Sequence, residues 1–276
     1  MTTPSHAIIT GGSSGIGREV ARLLVARGTA VTLLARRPAL LDEARADLAR
    51  TAPAGVSPRV HTAAVDVSDA AALAASIAAA EGVQGPCDAL VASAGIAIPG
   101  YFEALPLDVF ERTMAVNYFG ALHAVRAVVT GMRARKQGRI VLVGSGAGIV
   151  GVYGYAAYSP TKFALRGLAE VLRAELAPEG IRVSIVYPPD TDTPQLAEEN
   201  LTKPAETRAI TSGAQTWPAD GVARAIVTGM ELGRFAITPG WEMTILHRLH
   251  SVINPALAWH FDRQAARATK AQRVQR

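Results

Sequence analysis

The chain has 276 residues, of which 49% are hydrophobic and 18% are charged, proportions that suit one large globular domain. Its single cysteine, Cys87, excludes an intramolecular disulfide framework, and the neighbouring His247, His250 and His260 lack the spacing of a zinc site, so no bound metal is expected. The net charge of +5 comes from residues 263–276, which carry five basic and no acidic side chains, so a basic groove for nucleic acid is not expected.

Short β-branched runs alternate with longer amphipathic segments along most of the chain. This βαβ repetition predicts an α/β fold, a Rossmann-like doubly wound sheet of seven parallel strands with helices on both faces. Residues 1–240 are expected to form one nucleotide-binding domain, and residues 241–276 a helical appendage with a basic tail. Strands are predicted at 6–10, 30–35, 59–64, 88–92, 139–143, 182–187 and 235–238, and helices at 15–27, 38–50, 69–81, 106–134, 157–177 and 218–232.

Neither the start of the chain nor its longest uncharged stretch predicts membrane insertion. The first residues, MTTPSHAIITGG, have no charged leader and reach a glycine loop by residue 11, which is unlike a signal peptide, so a cytoplasmic protein is expected. Residues 140–161 carry no formal charge and are long enough to span a bilayer, but they contain five glycines. That composition predicts a strand followed by a loop.

The first motif, TGGSSGIG at residues 10–17, follows a predicted strand and precedes a predicted helix. Gly11 would permit a tight turn, Gly15 would let a pyrophosphate approach the backbone, and Gly17 would allow close packing of the helix. A glycine pattern alone is weak evidence, but this one begins the first βαβ unit, as a nucleotide loop requires. The predicted cofactor contacts in this loop are Gly11, Ser13, Ser14, Gly15, Ile16 and Gly17.

The second predicted strand ends in Ala35-Arg36-Arg37, where a dinucleotide-binding fold usually places an acid on the adenosine ribose. An acid there would repel a 2′-phosphate, whereas an arginine can form a charge-assisted contact with it. Arg36 and Arg37 therefore favour NADPH/NADP+ over NADH as the cofactor. The alternative is that both arginines only begin a solvated helix.

A second constellation combines Ser145, Tyr158 and Lys162. The tyrosine and the lysine are four residues apart on a predicted helix, so their side chains share one face. A free tyrosine, with a pKa of about 10, is a poor acid–base catalyst at neutral pH, and a neighbouring ammonium would lower that pKa. Tyr153 and Tyr155 lack a lysine four residues later, so Tyr158 is the candidate catalytic residue.

These motifs resemble the TGxxxGxG loop and YxxxK pair of the short-chain dehydrogenase/reductase family, and the resemblance covers roughly residues 5–240. It implies an NADP-dependent oxidoreductase in which Asn117 completes a catalytic tetrad with Ser145, Tyr158 and Lys162. It also implies that Lys162 holds the nicotinamide ribose and that Asn117 orders a water in the proton relay. One departure is Ser93, where the family commonly has Asn. The further cofactor contacts that the resemblance implies are Asp66, Val67, Ala94, Gly95, Pro188, Thr191 and Thr193.

The stretch after the sixth predicted strand, PPDTDTP at 188–194 followed by AEEN and TKP, resembles the 3-ketodihydrosphingosine reductases. That subfamily reduces 3-dehydrosphinganine to sphinganine with NADPH in sphingolipid biosynthesis, so the resemblance implies a long-chain amino ketone as substrate. Two alternatives stay open. The segment could be a proline-stiffened lid of another NADPH carbonyl reductase, such as one for 3-oxoacyl thioesters, or the chain could be a non-catalytic nucleotide-sensing module.

The implied substrate carries an ammonium beside its ketone, so a specific enzyme needs an anion near the reacting carbon. Ser145 and Tyr158 are expected to contact the ketone, and Asp190 and Asp192 are the candidate partners of the ammonium. The alternative is that both aspartates only hydrogen-bond their own turn, as aspartate readily does.

The segment from Trp241 to Phe261 is rich in apolar residues but too polar to span a bilayer. Two interpretations compete: it packs against the domain or a partner subunit, or it lies on a membrane surface with the basic tail nearby. The expected assembly is a homo-oligomer, either a dimer or a tetramer.

Overall fold

A computed structural model describes residues 3–52, 57–212 and 215–274 of the chain, with the side chains of 271–274 left out. The strands run in chain order as β1 His6–Thr10, β2 Ala30–Ala35, β3 Val60–Ala64, β4 Ala89–Ala92, β5 Gly138–Val143, β6 Ile181–Val186, β7 Thr191–Asp192, β8 Trp217–Pro218 and β9 Ala236–Ile237. The helices are α1 Gly15–Val25, α2 Pro38–Ala49, α3 Ala70–Gln84, α4 Leu107–Met114, α5 Gly120–Arg135, α6 Ser159–Leu176, α7 Pro194–Thr202, α8 Ala205–Thr211, α9 Ala219–Glu231 and α10 Trp241–Val274.

Seven of the described strands form one parallel sheet in the order β3-β2-β1-β4-β5-β6-β9, which confirms the predicted Rossmann-like fold. Its central strands are continuous runs of aliphatic residues because helices cover both faces and leave no side of the strand in water. Ile8 of β1, for example, lies between Thr32 of β2 and Leu90 of β4, and all three are fully buried.

The core is divided by the sheet into two layers. Helices α3, α5 and α6 pack on one face and helices α1, α2 and α9 on the other. Helices α1, α6 and α9 each present an apolar stripe to the sheet, as their sequence periodicity predicts. The carboxyl ends of all seven strands therefore point to one edge, where the loops that follow them meet.

The structure differs from the prediction of one helix at 106–134. Helices α4 and α5 are separated by a π-helical turn at Ala115–Phe119. In that turn the side chain of Asn117 donates to the carbonyl of Ile96 (2.9 Å) and to the hydroxyl of Thr161 (3.0 Å), and it accepts from the N–H of Ile96 (2.8 Å). A π-turn accommodates one residue more than a regular turn, which is a common feature of functional sites.

The segment after β6, which the sequence analysis left without secondary structure, contains the short strand β7, helices α7 and α8, and strand β8. Strands β7 and β8 pair in parallel as a separate two-stranded sheet. Helix α7 begins with Pro194 in its first turn, and the hydroxyl of Thr193 caps it by accepting from the N–H of Leu196 (3.2 Å). This cap and the proline fix the direction in which the segment leaves the sheet.

The C-terminal residues form one helix, α10, that packs on the domain. Met243 is buried, and Leu246, Leu257 and Phe261 lie against the core that α5 and α6 share. No described helix is long and apolar enough to cross a membrane. Of the predicted basic tail, Arg276 and the side chain of Arg273 lie outside the described residues.

Candidate active site

A cavity of about 730 Å³ opens at the carboxyl edge of the sheet. It lies where the strand order reverses between β1 and β4, the position at which doubly wound sheets bind nucleotides. The loops after β1, β2, β3, β4, β5 and β6 line it, and α7 and α10 close its far side.

The glycine loop between β1 and α1 lines one end of this cavity. Gly11 has a φ of +67°, and a Cβ there would lie 2.8 Å from the backbone of Ala94. A Cβ on Gly17 would lie 2.6 Å from the carbonyl oxygen of Gly11. Only glycine fits these two positions, so the loop is closely packed and exposes its backbone to the cavity, which suits a pyrophosphate. Ser13, Ser14, Gly15 and Ile16 line the cavity beside it.

Four predicted cofactor residues, Arg36, Arg37, Asp66 and Val67, line the cavity beyond β2 and β3. Burial alone would raise the pKa of Asp66. Hydrogen bonds from the hydroxyl of Ser68 (2.7 Å) and from its N–H (2.9 Å), together with the positive charge of Arg36, hold that pKa below its ordinary value. This end of the cavity thus presents two arginines and one ionised aspartate.

The loop after β4 forms the wall next to the glycine loop. Ser93, Ala94 and Gly95 all line the cavity. The N–H of Ala94 donates to the hydroxyl of Thr10 (3.2 Å), and the N–H of Ser93 donates to the carbonyl of Thr10 (3.2 Å). With Ser93 in place of the family's usual Asn, the loop is still held to β1 by hydrogen bonds from its backbone N–H groups to Thr10.

Ser145, Tyr158 and Lys162 meet in the middle of the cavity. Ser145 follows β5 and caps a 3-10 turn, accepting from the N–H of Ala147 (3.1 Å). Tyr158 occupies the residue before the first turn of α6, and Lys162 lies in that turn. The hydroxyl of Ser145 hydrogen-bonds that of Tyr158. The ammonium of Lys162 donates to the carbonyl of Val143 (2.9 Å) and lies 5.5 Å from the centre of the Tyr158 ring. The predicted triad is therefore assembled.

Burial dominates the electrostatics of this triad. Burial raises the pKa of Tyr158, and the negative charge of Glu199 raises it further, although the hydrogen bond from Ser145 opposes them. Desolvation is thus the largest influence on the pKa of Tyr158 in this structure, and the lowering of that pKa by Lys162 stays a prediction. Burial also lowers the pKa of Lys162 to about 8.

The structure does not bring Asn117 into the cavity lining. Its side chain is buried, and both its amide nitrogen and its oxygen are used by Ile96 and Thr161. It joins the loop after β4 to α6, which carries Lys162. Asn117 is therefore a positioning residue in this structure, and the contact with a relay water stays a prediction.

The proline-rich segment covers the cavity at residues 188–194. Pro188, Asp190, Thr191 and Thr193 line the cavity, whereas Asp192 is exposed and does not. The carboxylate of Asp190 lies 3.7 Å from the buried ammonium of Lys203. The structure thus separates the two aspartates that the sequence analysis treated alike, and it gives Asp190 a cationic partner.

Comparisons with known proteins agree with this geometry. Residues 5–204 match the family described as short chain dehydrogenase. The chain belongs to the short-chain dehydrogenase family. It is 41% identical over 252 residues to 3-dehydrosphinganine reductase of Danio rerio, covering 91% of this chain and 76% of that one. It is 42% identical over 246 residues to 3-ketodihydrosphingosine reductase of Mus musculus, covering 89% and 74%.

Solved structures give the same fold. A short-chain dehydrogenase from Sphingobium yanoikuyae in complex with NADPH is 25% identical, with a TM-score of 0.77 and coverage of 92% of this chain and 94% of that one. A short-chain dehydrogenase from Streptomyces avermitilis is 29% identical, with a TM-score of 0.75 and coverage of 98% and 97%.

Several residues of this short-chain dehydrogenase's site were missed by the sequence analysis. Glu199 and Tyr155 lie in the cavity wall, and the hydroxyl of Tyr155 donates to a carboxylate oxygen of Glu199 (2.7 Å). Met243, Leu246 and Phe261 of α10 form an apolar wall. The AEEN segment was visible in the sequence, but no local signal distinguishes the buried Glu199 from its exposed neighbour Glu198.

The described part of the chain contains no group of three or more His, Cys, Asp or Glu side chains arranged to hold a metal ion.

Proposed function

We propose that the protein reduces 3-dehydrosphinganine to sphinganine with NADPH. The observation that carries this proposal is the position of the Ser145, Tyr158 and Lys162 triad in one cavity that also has an apolar wall from α10. A ketone placed on the triad would leave its alkyl chain against that wall. The relatives that bear the name of this reductase support the choice of substrate.

Each residue of the triad would have a separate role in the reduction. Bound NADPH supplies the hydride that reduces the ketone carbon. Tyr158 transfers its hydroxyl proton to the ketone oxygen, which becomes the hydroxyl group of the product, and Ser145 hydrogen-bonds that oxygen as negative charge develops on it. A tyrosine is protonated at neutral pH, so Tyr158 can act as a proton donor there. Lys162, held by the carbonyl of Val143, would orient the cofactor ribose.

The residues around the glycine loop fit the cofactor. The exposed backbone at Gly11 and Gly15 suits a pyrophosphate, and Arg36 and Arg37 suit a 2′-phosphate. The remaining cofactor contacts keep the assignments implied by the family. Asp66 and Val67 would contact adenine, and Ala94 and Gly95 would form the cofactor wall. Thr191 and Thr193 would orient the nicotinamide carboxamide, and Pro188 would close over the ring.

The activity is tested by following NADPH oxidation with 3-dehydrosphinganine and, separately, with a 3-oxoacyl thioester. We expect turnover of the amino ketone and at least about a hundredfold loss of kcat in Tyr158→Phe, because general acid catalysis contributes factors of this size. NADPH should still bind this variant. Tyr153→Phe is the matched control, because Tyr153 is partly exposed and lies outside the cavity lining, and it should keep full activity. Turnover of the thioester alone would overturn the proposal and favour the alternative reductase.

The proposal includes peripheral attachment of α10 to an anionic membrane. The inner face of this helix packs on the core, while Trp241, Ile245, Leu249, Val252 and Trp259 are exposed. At 100° per residue these five side chains fall on one side of the helix. The basic Arg263, Arg267 and Lys270 are exposed on the same side, so an apolar stripe continues into positive charge, the pattern of a helix that lies in a lipid interface.

Deleting α10 would remove a cavity wall, so surface substitutions test membrane attachment better. The double variant Val252→Ser with Trp259→Ser should bind phosphatidylserine-containing vesicles about tenfold or more weakly, and added salt should weaken binding of the unmodified protein. Val83→Ser, which removes an exposed valine from α3, is the control. Unchanged vesicle binding in the double variant would overturn the attachment. A change of its oligomeric state instead would assign the stripe to a second copy of the chain.

We also propose that the protein forms a homo-oligomer, either a dimer or a tetramer. Phe119 next to α5, together with Phe163 and Val171 on α6, exposes apolar surface away from the cavity. Burying such a surface against a second copy would stabilise an assembly. Light scattering of the full chain measures its mass, and a monomer at micromolar concentration would contradict this part of the proposal.

A further inference from the structure

Glu199 is a buried carboxylate in the wall of the active-site cavity. Its side chain, on α7, is 8% exposed. One carboxylate oxygen accepts from the hydroxyl of Tyr155 (2.7 Å) and the other from the side-chain amide of Gln195 (2.8 Å). Both donors are neutral, so these hydrogen bonds hold the carboxylate in place without cancelling its charge.

Glu199 lies on the side of the cavity where the reaction would occur. The rings of Tyr155, its hydrogen-bond donor, and Tyr158 have centres 5.5 Å apart. The negative charge of Glu199 contributes to the raised pKa of Tyr158 and acts in the opposite direction to burial on the pKa of Lys162. The carboxylate is therefore close enough to act electrostatically on both catalytic residues.

The lysines near Glu199 contact other groups, so Glu199 has no close ion pair among the described residues. The ammonium of Lys203 lies 3.7 Å from the carboxylate of Asp190. Its positive charge also lowers the pKa of Glu199, although burial raises that pKa by more. A second cation on which Glu199 acts, Lys162, donates to the carbonyl of Val143. Asp190 thus has a close cationic partner, whereas Glu199 is held by neutral donors.

We propose that Glu199 binds the substrate ammonium and so makes the site selective for amino ketones. This inference rests on the proposed function, in which Tyr158 and Ser145 hold the ketone oxygen and the ammonium sits on the adjacent carbon. The structure moves this role from Asp190 and Asp192 to Glu199, because Asp192 lies outside the cavity lining and Asp190 is paired with Lys203. An ammonium beside Glu199 would also stabilise its ionised form.

The test compares two substrates that differ in one group: 3-dehydrosphinganine and 1-hydroxyoctadecan-3-one, which lacks the amine. Glu199→Gln keeps the size of the side chain and an oxygen that accepts from Tyr155, but it removes the charge. We expect kcat/KM for the amino ketone to fall about ten- to a hundredfold, the range for a lost hydrogen bond to a charged group, and to change less than about threefold for the ketone without the amine. Glu175→Gln removes the same charge from an exposed position on α6, outside the cavity lining, and should change neither value by more than about twofold.

Equal losses on both substrates in Glu199→Gln would overturn the inference and show that Glu199 only positions Tyr155 and α7. Failure of the unmodified protein to reduce the amino ketone would instead refute the proposed function, so the two failures are distinguishable. Thermal unfolding and NADPH titration check that the variant is folded. If it is not, the unmodified protein is assayed with both substrates, and equal kcat/KM values for the amino ketone and for the ketone without the amine would overturn the inference.

Discussion

Gly17→Ala tests whether close packing of the glycine loop is needed for cofactor binding. The added methyl carbon would lie 2.6 Å from the carbonyl oxygen of Gly11 and 3.1 Å from its carbonyl carbon. These are backbone atoms that cannot rotate away, so the loop must move by several tenths of an ångström. Overpacking of this kind costs about 1–3 kcal/mol of folding free energy. For a chain of this size it should lower Tm by roughly 2–5 °C.

The same shift should weaken NADPH binding. Losing one backbone hydrogen bond to a phosphate is worth about 1.5–3 kcal/mol, which corresponds to about a ten- to hundredfold increase in Kd. Fluorescence titration measures Kd, and calorimetry measures Tm. Gly82→Ala in α3 is the matched control, because a Cβ there meets nothing within 4 Å, and it should leave Kd unchanged and stabilise the helix by up to about 1 kcal/mol. A Gly17→Ala variant with Kd within twofold of the unmodified protein would refute the packing argument.

Two further predictions concern charged residues of the cavity. Arg36→Ala should raise the Kd of NADPH about ten- to a hundredfold and leave that of NADH nearly unchanged, since only NADPH carries the 2′-phosphate. Equal changes in Kd when the variant is titrated with each cofactor would disprove the contact between Arg36 and the 2′-phosphate. Burial lowers the pKa of Lys162 from 10.5 to about 8. Between pH 8 and 10.5 the unfolded chain therefore binds more protons than the folded chain, and the contribution of Lys162 to stability rises with pH. Relative to Lys162→Met, the unmodified protein should therefore gain roughly 2 kcal/mol of unfolding free energy from pH 7 to 10 in urea titrations, and a constant difference would contradict this.

The amino-acid sequence was sufficient to predict the seven-stranded sheet and the family to which the chain belongs. Aliphatic runs such as Ile140–Val143, separated by helical periodicity, are local patterns that follow directly from burial in a parallel sheet. The TGGSSGIG loop and the Tyr158–Lys162 spacing are equally local. The geometry of each motif depends on residues that are close together in the sequence, so no distant contact was needed to recognise it.

Side-chain environments, in contrast, were decided by the tertiary structure. The sequence does not distinguish Asp190 from Asp192 or Glu198 from Glu199, because exposure depends on which elements pack over each residue. The raised pKa of Tyr158 has the same origin, since desolvation is a property of the closed cavity and not of the YxxxK spacing. The inner face of α10 likewise became a cavity wall only because that helix packs back on the domain, through contacts between residues far apart in the chain.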